Sequence, residues 1–293
     1  AHEVERQAAD AVRRRVDTAR KRPDFAALPT LAQAVRLADL RADTPMQTSE
    51  RFLAWNEGHY LHALLNLWEL TRDRRWIERA IPRMNAVWAA RGQQPDGTLL
   101  PTWINDLETG VPCTLCTGVI LWPMTRLLNL LHAHPELAEF KPQVHGWIGW
   151  AEAALASHDD EWIEFPDGSG MHIEPYGKGP RRVYTHPAVT GSRINPVNRE
   201  YFYTLALMEF ARFHRRPEYI RKIRMNALFF KNISDWSQDR WVWEYEPSRY
   251  PACGEDIDHA GCQVEFAHQC ARDGIVFTEA DLEKMAVTLA RNI

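Results

Sequence analysis

The sequence predicts an all-α fold, a single domain over residues 1–293 in which helical hairpins close into an (α/α) toroid. Three observations carry that expectation. Apolar residues recur at helical spacing along most of the chain, with few convincing strands. Four segments share one succession of helix, short turn and helix, and a hairpin returning at intervals of roughly sixty to eighty residues marks a repeat architecture. The stretches between hairpins are long, whereas open arrays of the tetratricopeptide kind keep their links short.

In chain order, residues 1–50 are expected to supply peripheral N-terminal helices. The first hairpin opens with "HYLHALLNLWELTRD", apolar at Tyr60, Leu61, Leu64, Leu65, Trp68 and Leu70, and continues through "RRWIERAIPRMNAVWAARG" to Gly92. The second is "GVILWPMTRLLNLLHAHPELAEFKPQVHGWIGWAEAALASH" and the third "NREYFYTLALMEFARFHRRPEYIRKIRMNALFFKNI". The fourth is "HAGCQVEFAHQCARDGIVFTEADLEKMAVTLARNI". Their first helices open near residues 57, 118, 199 and 259. Their turns are "TRDRRW", "HAHPEL", "HRRPEY" and "RDGIVFTEA". Residues 92–116, 158–198 and 233–258 join the units and are rich in Trp, Gly, Pro and acids. Links longer than about fifteen residues in a compact domain carry function or form lids. Each leads into the start of a first helix, so the links are expected to gather at one end. Within the second, "WIEFPDGSGMHIEPYG" reads as a short strand pair or lid.

Composition excludes several classes. A net charge of −4 argues against a nucleic-acid partner. The basic runs "RRRVDTARKR" and "RRPEYIRKIR" are interrupted by acids and apolar residues and read as solvated faces. No apolar run approaches the length of a bilayer-spanning helix, so no membrane partner is expected. The chain opens on the polar "AHEVERQAAD", and a start without Met fits signal removal or trimming; a periplasmic or secreted location is favoured, with a cytoplasmic one left open. Five cysteines leave at least one outside any intrachain pair. Cys113 and Cys116 have CxxC spacing but lack the second pair of ligands a zinc site needs, so no metal and no cofactor is expected. Cys253 and Cys262 either bridge in an oxidising compartment or stay reduced. There is no G-x-G-x-x-G opening a helix after a strand, no Walker loop and no G-x-S-x-G elbow. Twelve tryptophans are the unusual feature. Trp55, Trp103, Trp162, Trp241 and Trp243 fall in polar, loop-like stretches, where a flat aromatic face suits a sugar ring; anchoring a loop to the core is the alternative.

If the first helices point the same way, their starts bring together a recognisable set of groups. The first unit offers Trp55, Asn56, Glu57 and His59, and the second Cys113, Thr114, Cys116 and Thr117. The third offers His186, Arg193, Asn195, Asn198, Arg199, Glu200 and Tyr201, and the fourth Glu255, Asp256, Asp258 and His259. Each has a structural reading too. Carboxylates suit the partial positive charge of a helix start, Asn198 suits an N-cap, and Tyr201 opens an apolar run. Glu255 and His259, four apart, share a helical face, as an acid orienting a histidine would. His186 and Arg193 sit in "RRVYTHPAVTGSRINPVNREYFY", where packing constrains them less; His172 and Glu174 are secondary candidates.

The hairpin repeat, the Trp-rich links, "NREYFYTLALMEFARFHRRPEYI" and "GEDIDHAGCQVEF" resemble (α/α)-toroid carbohydrate-active enzymes, above all polysaccharide lyases and epimerases acting on uronic-acid chains. Such proteins carry an Asn-led inner helix and a late E-D-x-x-H segment, matched here by Glu255, Asp256 and His259; the NNH motif of some toroid alginate lyases is not present. The resemblance is one of layout over residues 50–293. It implies cleavage of an oligo- or polysaccharide by β-elimination. Asn198, Arg193 and His259 would neutralise the uronate carboxylate, Tyr201 and His186 would serve as base and acid, and Glu255 would orient His259. Trp55, Asn56, Glu57, His59, Trp103, Asp256 and Trp243 would bind the chain. A uronate C5-epimerase shares the opening step. A glycoside hydrolase on the same toroid would need two carboxylates, for which Glu57 and Asp256 are the natural pair. A non-catalytic helical-repeat scaffold is the reading from another class. The oligomeric state is left open.

Overall fold

The computed structural model describes residues 30–42, 44, 46, 53–92, 99–103, 113–174, 193–194, 197–234 and 257–292. These are mostly helical. Helix α1 spans Thr30–Ala42, and a π-helical turn at Leu53–Gly58 leads into α2, His59–Thr71. Then come α3 (Arg75–Ala89), α4 (Thr114–Ala133), a 3₁₀ stretch (Pro135–Val144), α5 (Trp147–Ala156) and a 3₁₀ turn (Asp159–Glu161). Strands β1 (Trp162–Glu164), β2 (Gly170–Glu174) and β3 (Arg193–Ile194) follow. The chain continues through α6 (Val197–Phe213), α7 (Pro217–Ile233), α8 (Ile257–Arg272) and α9 (Glu279–Asn292).

The four hairpins are therefore α2–α3, α4–α5, α6–α7 and α8–α9, with turns where the sequence puts them. Two details differ. Helix α4 begins at Thr114, so Cys116 and Thr117, expected near a loop end, are buried helical residues. The second arm of that hairpin is split into the 3₁₀ stretch and α5, because Pro142 donates no N–H and biases Lys141 away from the α region. The strand pair is present: β1 and β2 run antiparallel with Trp162 opposite His172, and β3 adds to β2 with Ile173 opposite Ile194. The sheet packs on α7 through Phe165, Met171 and Phe229.

Contacts between helices follow a simple order. First helices touch in succession, α2 to α4 to α6 to α8, and each second helix packs on its own first helix. The α4–α6 crossing is the most extensive. It is close because Gly118 has no side chain: a Cβ there would lie 2.3 Å from the Tyr203 backbone nitrogen. Gly58 approaches the other side of α4, where a Cβ would lie 2.7 Å from the Val119 carbonyl oxygen. Pro123 stands where the donor to that carbonyl would be, so the helix leaves it open on that side.

Every residue of α4 from Thr114 to Thr125 is buried. The helix is long and apolar enough to cross a membrane by length and composition, which corrects the expectation that no run approaches that length. A helix surrounded by core reads as apolar all round, just as a spanning helix does. Here its surface is taken up by α2, α6, the π-turn and the 3₁₀ stretch, and 83% of its apolar window is buried. Trp68, Trp76, Trp103 and Trp147 fill the core around it, each large buried side chain contributing on the order of 2–3 kcal/mol.

Candidate functional site: a polar cavity among the first helices

Each first helix carries a polar stripe at the same register. In α2 it is His62, Asn66 and Glu69, and in α4 it is Trp122, Arg126 and Asn129. In α6 it is Glu209 and Arg212, and in α8 Glu265, Gln269 and Arg272, with Gly261 a turn earlier. The spacing of four and then three residues keeps each set on one helical face. The stripes converge on a cavity of about 580 Å³, within the size range of small-molecule sites.

Hydrogen bonds knit this wall together. One terminal nitrogen of Arg126 donates to the His62 ring, 3.1 Å from Nε2, and the other donates to Glu69 at 2.5 Å. Asn129 Nδ2 donates to both the backbone oxygen and Oε2 of Glu209, each at 2.7 Å. Arg212 donates to Glu209 Oε1 at 2.9 Å and to Asp273 Oδ2 at 2.6 Å. Gln269 donates to Glu265 Oε1 at 2.8 Å. The His62 ring lies 4.1 Å from that of Trp122. Burial first, then the charges of Arg126 and His59, push the His62 imidazole down to about 3. It is therefore neutral at ordinary pH and accepts from Arg126.

Aromatic rings connect this cavity to the start of α2. Trp122 lies 6.1 Å from Phe202, Phe202 5.8 Å from His59, and His59 5.8 Å from Trp55, which is 40% exposed. His59 is itself solvent-accessible, yet desolvation by the surrounding protein lowers its pKa. Trp55 and His59 are thus exposed at and just before the start of α2, with Asn56 half-buried beside them.

The other expected residues are placed differently. Glu57 is fully buried and held by Arg41, at 2.5 Å, and by two nitrogens of Arg83, tying α1, the π-turn and α3 together. Its carboxylate is occupied by these guanidiniums, which suits a structural hub. Trp103 is fully buried, its indole N–H donating to the Val87 carbonyl at 3.0 Å, and so follows the core-anchor alternative. Tyr201 is fully buried, stacked on Phe266 at 4.5 Å and tilted against Phe230. Its hydroxyl has no hydrogen-bond partner among the described residues, and burial pushes its pKa well above the ordinary phenol value. Glu200, next to it, faces the sheet: it accepts from His172 Nδ1 at 2.9 Å and from Asn226 at 2.8 Å, all three residues being buried. Thr117 bonds His158 at 2.9 Å, and His158 bonds Glu161, which fastens α4 to the turn before β1.

Arg193 lies in β3 opposite Glu174, Asn198 in the first turn of α6, and His259 in the first turn of α8; their side chains lie outside the described residues. His186, Glu255, Asp256 and Trp243 also lie outside them, as does Cys253. Among the described residues no group of three His, Cys, Asp or Glu side chains could hold a metal ion. Sequence reasoning looked to helix starts and missed Arg126, Asn129, Glu209, Arg212 and Glu265, which stand in later turns. The signal was present: polar residues at one register of helices whose remaining positions are apolar. No family model, curated protein or solved structure matches the chain.

Proposed function

We propose that the protein is an (α/α)-toroid enzyme that cleaves a uronic-acid-containing glycan by β-elimination. The observation that carries this reading is the cavity on which all four first helices converge, joined by aromatic rings to the start of α2. A toroid sets its first helices inside and its second helices outside, and polar stripes facing one cavity from α2, α4, α6 and α8 support that layout. A glycan chain entering past Trp55 and His59 would meet aromatic faces first and paired polar groups beyond them.

In this reading, Arg193, Asn198 and His259 donate hydrogen bonds to the uronate carboxylate and stabilise the charge that develops when its C5 proton leaves. With Tyr201 enclosed in the core, the base falls to His186, and Glu255 orients His259. The electron pair of the C5–H bond forms a C4=C5 double bond. The C4–O bond breaks, and the departing oxygen takes up a proton from water. The test is ultraviolet absorbance of the unsaturated uronate during incubation with a panel of uronic-acid polysaccharides. A rise that disappears in His186→Ala is expected; a flat trace with every member of the panel would end the reading.

A hydrolase on the same cavity is favoured by one specific feature. Glu209 and Glu265 reach the cavity from α6 and α8, and hydrolysis needs two carboxylates about the scissile bond. New reducing ends without ultraviolet absorbance, lost in Glu265→Gln, would select this reading.

A further inference from the structure

We propose that the cavity lined by the later turns of the first helices is a subsite for an uncharged sugar residue, so that the chain handled is a mixed glycan with a neutral residue beyond the uronate. The glycan context rests on the function proposed above; the charge preference rests on the cavity alone.

A site built for a carboxylate or phosphate leaves positive charge unspent. Here every guanidinium on the wall already faces an acid. Arg126 is paired with Glu69 at 2.5 Å, Arg212 with Glu209 at 2.9 Å and Asp273 at 2.6 Å, and Arg272 with Asp273 at 3.4 Å. The lining carries three arginines and three glutamates, two of which form arginine–glutamate pairs, and Asp273 adds a further acid beside it. His62 adds no charge, since it is neutral. An anionic occupant at Arg126 or Arg212 would have to displace a glutamate from its arginine and would then face that glutamate across a short distance.

A neutral sugar needs the opposite arrangement. Each hydroxyl both donates and accepts, so adjacent hydroxyls are met best by acceptors and donors side by side. Glu265 beside Gln269 supplies such neighbours, since Gln269 Nε2 spends only one of its two N–H groups on Glu265; Asn129 adds its amide oxygen, and Trp122 supplies aromatic surface at the same wall. Salt weakens binding that depends on unpaired charge, and it should leave binding to a charge-balanced wall almost untouched.

The experiment is calorimetric titration of the full chain with matched sugar pairs: glucose against glucuronate, galactose against galacturonate, and mannose against mannuronate. Each is measured at low and high salt. We expect at least one neutral sugar to bind about tenfold or more tighter than its uronate, a margin of about 1.4 kcal/mol, with a salt effect under about twofold. Asn129→Ala and Glu265→Gln should each weaken that binding about tenfold while thermal melts show the variants folded. Tighter, salt-sensitive binding of a uronate overturns the proposal, as does failure of every neutral sugar to bind, or binding that both variants leave intact. Neutral-sugar binding with no unsaturated product from any polysaccharide would remove the elimination reading and leave this one standing.

Discussion

At Glu57, one buried carboxylate meets the guanidiniums of Arg41 and Arg83, both largely buried themselves. Removing the charge leaves two cations facing each other, so Glu57→Gln should destabilise the fold by about 3–5 kcal/mol, read from urea unfolding. A change below about 1 kcal/mol would show that the guanidiniums find other partners. His62 makes a second residue-scale prediction. Its folded pKa is about 3 against an ordinary 6.5, so in the window between them the unfolded chain binds a proton that the folded chain refuses. Stability should therefore fall as pH drops through that window, by up to about 1.4 kcal/mol per unit. Between about pH 7 and about pH 5 the wild type should lose about 2 kcal/mol more than His62→Asn. Equal losses would mean that the ring protonates in place. Residue chemistry of this kind was only partly legible in the sequence. Glu57, His62 and Tyr201 are all polar or aromatic groups near the starts of first helices. Whether each faces solvent, arginines or a stacked phenylalanine depends on neighbours 16 to 65 positions away, such as Arg41, Arg126 and Phe266.

Between elements, the decisive contact is the α4–α6 crossing at Gly118. A Cβ there meets the Phe202 and Tyr203 backbone, which cannot rotate aside as a side chain can. Gly118→Ala should cost about 1–3 kcal/mol or more through overpacking. Gly149 in α5 is the control, with nothing within 4 Å of an added Cβ. Gly149→Ala should gain about 0.5–1 kcal/mol because alanine loses less backbone freedom on folding into a helix. Thermal melts of the two variants should move in opposite directions, and parallel shifts would refute the close crossing. Helix existence was readable because apolar spacing and turn punctuation agree at "TRDRRW", "HRRPEY" and "RDGIVFTEA". Two things were not. Helix α4 extends back through Cys116 because its burial comes from α6 and not from its own pattern. The 3₁₀ stretch depends on proline positions that helical spacing alone ignores.

Across the whole molecule, hairpins contact their neighbours in order, so stability should be graded along the row. Helices α4 and α6 have partners on several sides, whereas α1 packs on α2 and α9 on α8, with ion pairs Arg79–Asp39 and Lys231–Asp281 reaching α3 and α7. The same order explains what the sequence hid about the site. Polar triplets at one register, such as His62, Asn66 and Glu69 or Glu265, Gln269 and Arg272, look like solvated stripes one helix at a time. They become a cavity wall only when four helices turn those stripes toward one another. A gradient in local opening is the direct consequence of this arrangement. Amide exchange should be slowest over residues 115–125 of α4 and 204–211 of α6, and faster by about tenfold or more in α1 and α9. Uniform exchange across all four hairpins would instead mean that the row opens as one cooperative unit, with the cavity lost only on global unfolding. Under the graded expectation, α8 can part from its neighbours first, and binding of a sugar between α2, α4, α6 and α8 should slow exchange most in α8.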